Sequence, residues 1–235
     1  LKHLIALYDG EAAFADEQAG RLWTAMKANG CYDNCLSILT ADHGEELHDH
    51  HQYTDHKASV YEPVMRIPLI LRAPGKIPVS RRDASVVESI DFAPTILQFC
   101  GIPVPPAFQG KPLTLSGNGP VKANAPAFGE WEDRIILIRT DKMKLIHNPS
   151  GFRMDRQLAG KMAPMPLEKE ELYDIQADPR ETQNLADKNP AQLKELIGRL
   201  DAWIAQYQWR LNTGPYTPPD LPDDIRNEME ALGYL

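Results

Sequence analysis

The chain has 235 residues, of which 43% are hydrophobic and 25% charged, the balance of a globular protein that can bury a core. A formal net charge of −8 argues against sequence-independent nucleic-acid binding, which needs clustered Lys and Arg to displace counterions. No run approaches the ~18 apolar residues that a membrane-spanning helix requires, so no membrane span is expected.

From its first residues the chain is inside a helical pattern: Leu4, Tyr8, Ala12, Ala15, Ala19, Leu22 and Met26 recur every three or four positions with no capping residue ahead of them. Residue 1 therefore reads as a cut or processed end. Asn29-Gly30 predicts the left-handed C-terminal cap of this helix. Cys31, Cys35 and Cys100 match no zinc-binding spacing; a Cys31–Cys35 disulfide is conceivable in a secreted protein, but unpaired thiols are the expectation.

Leu36-Ser37-Ile38-Leu39-Thr40-Ala41 is short and β-rich enough for a strand, and it runs directly into Asp42-His43-Gly44-Glu45. Polar residues thus fall at the C-terminal edge of a strand, where open α/β sheets bind ligands. A His- and Asp-rich loop covers residues 45–56. Ile67-Pro68-Leu69-Ile70-Leu71-Arg72 predicts a second buried strand, and Val86-Val87 a short third one. A helix follows, with Asp91 as N-cap, Pro94 in its first turn and Gly101 at its end. The proline-rich segment from Ile102 to Pro112 reads as a connector.

Beyond it the pattern becomes that of a small antiparallel sheet. Ala127-Phe128-Gly129-Glu130-Trp131, Arg134 to Arg139 and Met143 to His147 are closely spaced strand candidates, with Thr140-Asp141-Lys142 as the turn between the last two. Glu171-Leu172-Tyr173-Asp174 precedes an amphipathic helix from Pro190 to Gln208, whose apolar face carries Leu193, Leu196, Ile197, Leu200, Trp203, Ile204 and Tyr207. A Pro-rich run from Pro215 to Pro222 leads to a last short helix ending near Gly233. The organisation expected is an α/β portion over residues 1–112 and a subdomain over 113–235.

The strongest chemical signal is Asp42-His43. A carboxylate and an imidazole on one turn can aim into a cleft and bind a cation, although such a tripeptide with Gly44 is more often a plain turn. His48, Asp49, His50, His51, Asp55 and His56 add further ligands or proton-transfer groups nearby, or simply a wet loop.

Taken in order and spacing, a longer set of blocks resembles the sulfatase family. They are Tyr8-Asp9-Gly10-Glu11, Tyr32-Asp33-Asn34, Leu39 to Glu45, Tyr61-Glu62, Arg66 to Ile70, Ser89 to Thr95, Gly101-Ile102-Pro103, Lys144-Leu145-Ile146, Glu171 to Asp174, Asp178-Pro179, Asn184-Leu185-Ala186 and Ala231 to Leu235. The resemblance is to the C-terminal half of these enzymes and covers nearly the whole chain. It implies the C-terminal part of an alkaline-phosphatase-like α/β core, followed by a small antiparallel sheet with a packed helix.

The resemblance also implies roles. The Asp-Asn or Asp-His pair after a core strand binds the active-site divalent cation, which makes Asp42 and His43 the metal ligands. Calcium is the family's usual ion; with His in place of Asn, manganese or zinc would suit the imidazole better. His56 and Lys57 match the His and Lys that precede the family tyrosine, here Tyr61. A protonated imidazole can donate to the leaving oxygen, and an ammonium can neutralise charge on the sulfuryl or phosphoryl oxygens. His50 matches a frequent family histidine with no assigned role, and Glu62 and Arg66 read as structural, as a supporting pair.

The nucleophile of the family is a formylglycine made within Cys-x-Pro-x-Arg, or a serine there, and neither pattern occurs in this chain. The expectation is accordingly a C-terminal fragment of a metal-dependent sulfatase, partnered by a missing N-terminal half and acting on a sulfated or phosphorylated small molecule or glycan. Family members are often exported, which makes a periplasmic or secreted location the family-typical one. A half-domain of this kind should leave apolar surface and sheet edges exposed. The rivals are a phosphodiesterase or phosphonate monoester hydrolase on the same scaffold, and a non-catalytic binding remnant.

Overall fold

The computed structural model of the chain describes residues 1–50, 54–56, 59–117, 119–122, 125–151, 155–158, 161–164, 168–207 and 222–231. Helix α1 spans Lys2–Ala28 and ends as the Asn29-Gly30 pair predicts, with Gly30 at φ +69°. None of its residues is buried, and Leu7, Phe14 and Leu22 are more than half exposed. All three cysteines are free thiols.

Strand β1 (Ser37–Thr40) pairs antiparallel with β4 (Leu69–Arg72), so the two apolar runs read as strands are neighbours, with Ser37 opposite Arg72 and Thr40 opposite Leu69. Between them lie the short pair β2 (Glu46–Leu47) and β3 (Thr54–Asp55) and the one-turn helix α2 (Glu62–Met65). The His-rich segment read as a loop therefore contains a two-stranded pair.

The strand expected at Val86-Val87 does not form. The chain there leads into a capping box instead: the Glu88 N–H donates to Asp91 Oδ2 (3.1 Å) at the start of a 3-10 turn over Ser89–Asp91. Glu88 Oε1 in turn accepts the Phe128 N–H at 2.8 Å. These side-chain bonds hold the backbone where a ladder would otherwise be needed. Helix α3 (Phe92–Phe99) follows with Pro94 in its first turn, and Gly101 at φ +71° comes just after its end.

The predicted sheet is present, with one strand more than its sequence pattern showed. β5 (Ala127–Trp131), β6 (Ile135–Arg139), β7 (Met143–His147) and β10 (Glu170–Asp174) form a four-stranded antiparallel sheet in the order β10-β7-β6-β5. Thr140 closes the β6–β7 turn: its backbone N–H donates to Met143 O, and its hydroxyl oxygen accepts the Met143 N–H, each at 2.8 Å. The Met-rich stretch from Met154 to Met165 contributes a separate hairpin of β8 (Asp155–Leu158) and β9 (Lys161–Pro164); Met154 and Met165 themselves lie outside the described residues.

Both faces of the sheet are covered, which explains why β6 reads as an unbroken apolar run rather than an alternation. Ile136, Ile138, Leu145 and Leu172 face helix α4 (Pro190–Tyr207), which inserts Leu196 and Leu200. Ile135, Leu137, Ile146 and Tyr173 face the other way, onto Val60 and Tyr61 from the segment entering α2. Trp203 of α4 stacks on Phe128 at 4.9 Å. Helix α5 (Asp223–Ala231) comes last; the Pro-rich run before it lies almost wholly outside the described residues, as does Gly233.

Leu196 is fully buried between α4 and the sheet. Leu196→Ala should cost about 2–5 kcal/mol of unfolding free energy, read as a lower urea midpoint with unchanged slope. An unchanged midpoint would contradict this packing.

Candidate functional site

The Asp42-His43 turn leaves the end of β1 and is pinned from behind by α2. The Gly44 N–H donates to Val64 O at 2.8 Å. A Cβ at Gly44 would lie 1.9 Å from Pro63 O, so only glycine allows the turn to sit this close to the helix. Asp42 is exposed, and the His43 N–H donates to its Oδ1 at 2.9 Å. That bond, helped by the neighbouring imidazoles and only partly opposed by burial, holds the Asp42 carboxyl below its usual range.

The His43 ring is oriented by its own turn. Its Nδ1 lies 2.8 Å from Gly44 O. A carbonyl can only accept, so Nδ1 carries the hydrogen, while Nε2 lies 3.8 Å from Asp42 Oδ2. His56 stacks on the His43 ring at 4.0 Å, and its Nδ1 is 3.0 Å from Glu45 Oε2. Donor atoms of His43, Glu45 and His56 all lie within 4.8 Å of one another. The His43 imidazole beside the Asp42 carboxylate offers a mixed N/O pair that fits a divalent cation, of the type that manganese or zinc accepts more readily than calcium. Lys57 lies outside the described residues, so of the four expected site residues three are brought together.

Glu45 was not singled out in the sequence. The signal was an acidic residue two positions after His43, but the partner it holds, His56, is eleven residues further on, across the β2–β3 pair.

A layer of buried polar contacts joins this region to the C-terminal sheet. Glu46, fully buried, accepts the Ser59 hydroxyl at 2.8 Å and pairs with His50 Nδ1 at 3.1 Å. His50 also reaches Arg180 O through Nε2 (3.0 Å) and stacks flat on Tyr61 at 3.9 Å. Burial lowers the His50 pKa, but Glu46, Glu181 and the Arg180 carbonyl outweigh it and the net direction is upward. Tyr61 and Tyr173 both donate their hydroxyls to Glu171 Oε2, at 2.7 and 2.6 Å.

The expected Glu62–Arg66 pair is not formed. Glu62 faces inward, to Lys144 at 3.3 Å and Arg139 at 3.4 Å, whereas Arg66 is exposed and bonds Glu62 only through the backbone. A fully buried ammonium at Lys144 needs carboxylates around it, and Glu62 with Glu181 (2.7 Å) supplies them. In front of the turn an open groove of about 1400 Å³ is lined by Asp42, His43, Arg66, Arg82, Phe128 and Arg139, among others.

The family model described as "N-sulphoglucosamine sulphohydrolase, C-terminal" matches residues 49–209. The chain belongs to the sulfatase family. Its scaffold is accordingly the alkaline-phosphatase-like α/β fold of these hydrolases. An N-acetylglucosamine-6-O-sulfatase from Bacteroides thetaiotaomicron is 32% identical over 82% of the chain and 34% of its own length. A protein solved in complex with its substrate, D-glucosamine-2-N,6-O-disulfate, superposes with TM-score 0.67 at 31% identity, covering 82% of this chain and 38% of that one. The phosphonate monoester hydrolase of Agrobacterium radiobacter superposes with TM-score 0.66 at 25% identity, over 88% of this chain and 45% of that one. The chain thus spans between about a third and a half of the length of these relatives. Sulfatase membership implies a divalent cation and a formylglycine in the working enzyme. No helix among the described residues is long and apolar enough to cross a membrane.

Two measurements check the geometry. Gly44→Ala should destabilise the protein by about 1–3 kcal/mol in chemical denaturation, because the added methyl overlaps backbone; wild-type stability would contradict the close approach. His50 has a folded pKa raised above 6.5, so its ion pair contributes stability that is fully present below pH 6.5 and lost as pH rises through the folded value. The stability gap between wild type and His50→Gln should therefore narrow across that window, and a gap that widens with pH would contradict the Glu46 pairing.

Proposed function

We propose that this chain supplies the metal-holding wall of a sulfate-ester hydrolase. Asp42 and His43 are its cation ligands, and His56 and Lys57 act on the ester. The observation that carries this reading is the convergence of His43, Glu45 and His56 donor atoms within 4.8 Å, beside Asp42 at the end of a core strand. The bound ion would be calcium, the family's usual one, or manganese or zinc, which the imidazoles favour; it supplies a positive charge that draws the sulfuryl oxygens in and polarises the sulfur centre.

The chain's own residues divide the remaining work. Asp42 contributes an ionised carboxylate, and His43 contributes Nε2, with its other nitrogen committed to Gly44. Glu45 holds Nδ1 of His56, so His56 presents its other nitrogen as the proton donor to the departing alcohol oxygen. Lys57 neutralises charge on the transferring group. The attacking nucleophile, a formylglycine, belongs to the part of the relatives that this chain does not match. Residues 1–112 belong in this reading to the α/β core and 113–235 to a subdomain beside the groove. The substrate class is a sulfated glycan or small sulfate ester, as the names of the glucosamine-directed relatives suggest.

A phosphodiesterase or phosphonate hydrolase is the second reading, favoured by His43 at the second ligand position and by the Agrobacterium neighbour. The test compares rates on an aryl sulfate and an aryl phosphodiester, using the longest natural form of the protein. Faster sulfate hydrolysis, with His56→Ala lowering turnover of esters of poor leaving groups about 10²–10⁴-fold, is expected. Faster diester hydrolysis would replace this reading with the second, and no turnover of either would leave a binding protein.

A further inference from the structure

We infer that Lys144 and Glu181 are positioning residues for the Asp42-His43 turn, acting from the C-terminal sheet through Glu62 and α2. The coupling can be followed atom by atom. Lys144 Nζ, on β7, lies 2.7 Å from Glu181 Oε1 and 3.3 Å from Glu62 Oε1. Glu181 Oε2 accepts the Glu62 backbone N–H at 2.6 Å. Glu62 is the first residue of α2, a helix of four residues. At the other end of that turn Val64 O accepts the Gly44 N–H, and Pro63 O blocks any Cβ on Gly44.

A helix of one turn cannot hold itself in place, because nucleation is unfavourable and there is almost no propagation to offset it. Its position is set by its partners. At its first residue those are Lys144, Glu181 and Arg139. Glu181 is itself held in an unusual conformation, at φ +52°, with its N–H on Asp178 O (3.1 Å). A buried ion cluster is a poor way to gain stability, since desolvation offsets most of the attraction and packed apolar side chains would serve as well. Directional charges fix geometry instead. Here the geometry fixed is that of Gly44, one residue from His43. A shift of α2 moves the carbonyls against which the turn is seated, and so the angle at which His43 and Asp42 face each other.

The inference rests on the proposed ligand role of Asp42 and His43 only for its consequence in cation binding, and the experiment separates the two. Amide hydrogen exchange is followed by NMR in the wild type, Lys144→Met and Glu181→Gln, with Mn²⁺ affinity measured by calorimetry on the same samples. In Lys144→Met the Gly44 amide should exchange at least about 10-fold faster while Ile38 and Leu71 in the β1–β4 ladder stay near wild-type rates, and Mn²⁺ affinity should fall about 10- to 100-fold. Glu181→Gln keeps an acceptor for the Glu62 N–H and should give a smaller effect of the same pattern; if Lys144→Met does not fold, this variant carries the comparison. Gly44 exchange that is unchanged, or that rises only in step with all other amides, overturns the coupling and leaves the cluster as general scaffolding. If Gly44 responds as expected but the wild type binds no Mn²⁺, the coupling stands and the ligand role of Asp42 and His43 falls.

Discussion

A lysine with no solvent exposure sits between two carboxylates at the join between the four-stranded sheet and α2. An ammonium in that position is tolerable only with counter-charges in contact, so Lys144 dictates where Glu62 and Glu181 must be. Around it the same join is stitched by Tyr61 and Tyr173 on Glu171 and by His50 on Glu46 and the Arg180 carbonyl. The sheet has one face for α4 and the other for this polar seam and the apolar residues beside it. What reaches the solvent side of the seam is the Asp42–Glu45 turn, seated against α2.

The chemistry of that turn follows from its constraints. The carbonyl of Gly44 takes one nitrogen of His43, and Glu45 takes one nitrogen of His56. Each imidazole is thus held in one orientation by an acceptor from the segment Gly44-Glu45. The two rings stack, and the carboxylates beside them make the cluster anionic enough to attract a divalent ion. In the proposed reading it is the bound ion, not the cluster itself, whose charge would hold an anionic ester while His56 delivers a proton to the leaving group.

Much of this was legible in the sequence. Local signals placed α1 and its Asn29-Gly30 end, β1, β4, α3 and three sheet strands, because each rests on a short-range pattern of apolar spacing or turn chemistry. Asp42 and His43 were singled out for their residue type at a strand end and His56 through the family resemblance, and the structure brings the three together. Long-range pairing was not legible. Glu62 chose Lys144, eighty-two positions away, over the nearby Arg66, because Lys144 is buried and Arg66 is not. Val86-Val87 has strand propensity, but Glu88 commits the chain to a capping box and to β5. Glu171 to Asp174 was recognised as a block without being recognised as a strand, since its partner β7 lies across the β8–β9 hairpin.

We propose that Asp42 and His43, with His56 and Glu45 beside them, hold a divalent cation. The most direct measurement is a titration with Mn²⁺, whose unpaired electrons broaden NMR signals close to the bound ion. Broadening at sub-stoichiometric Mn²⁺ should centre on Asp42 to Glu45 and His56, and His43→Ala should abolish it. Broadening centred elsewhere, or unaltered in His43→Ala, would contradict the proposal.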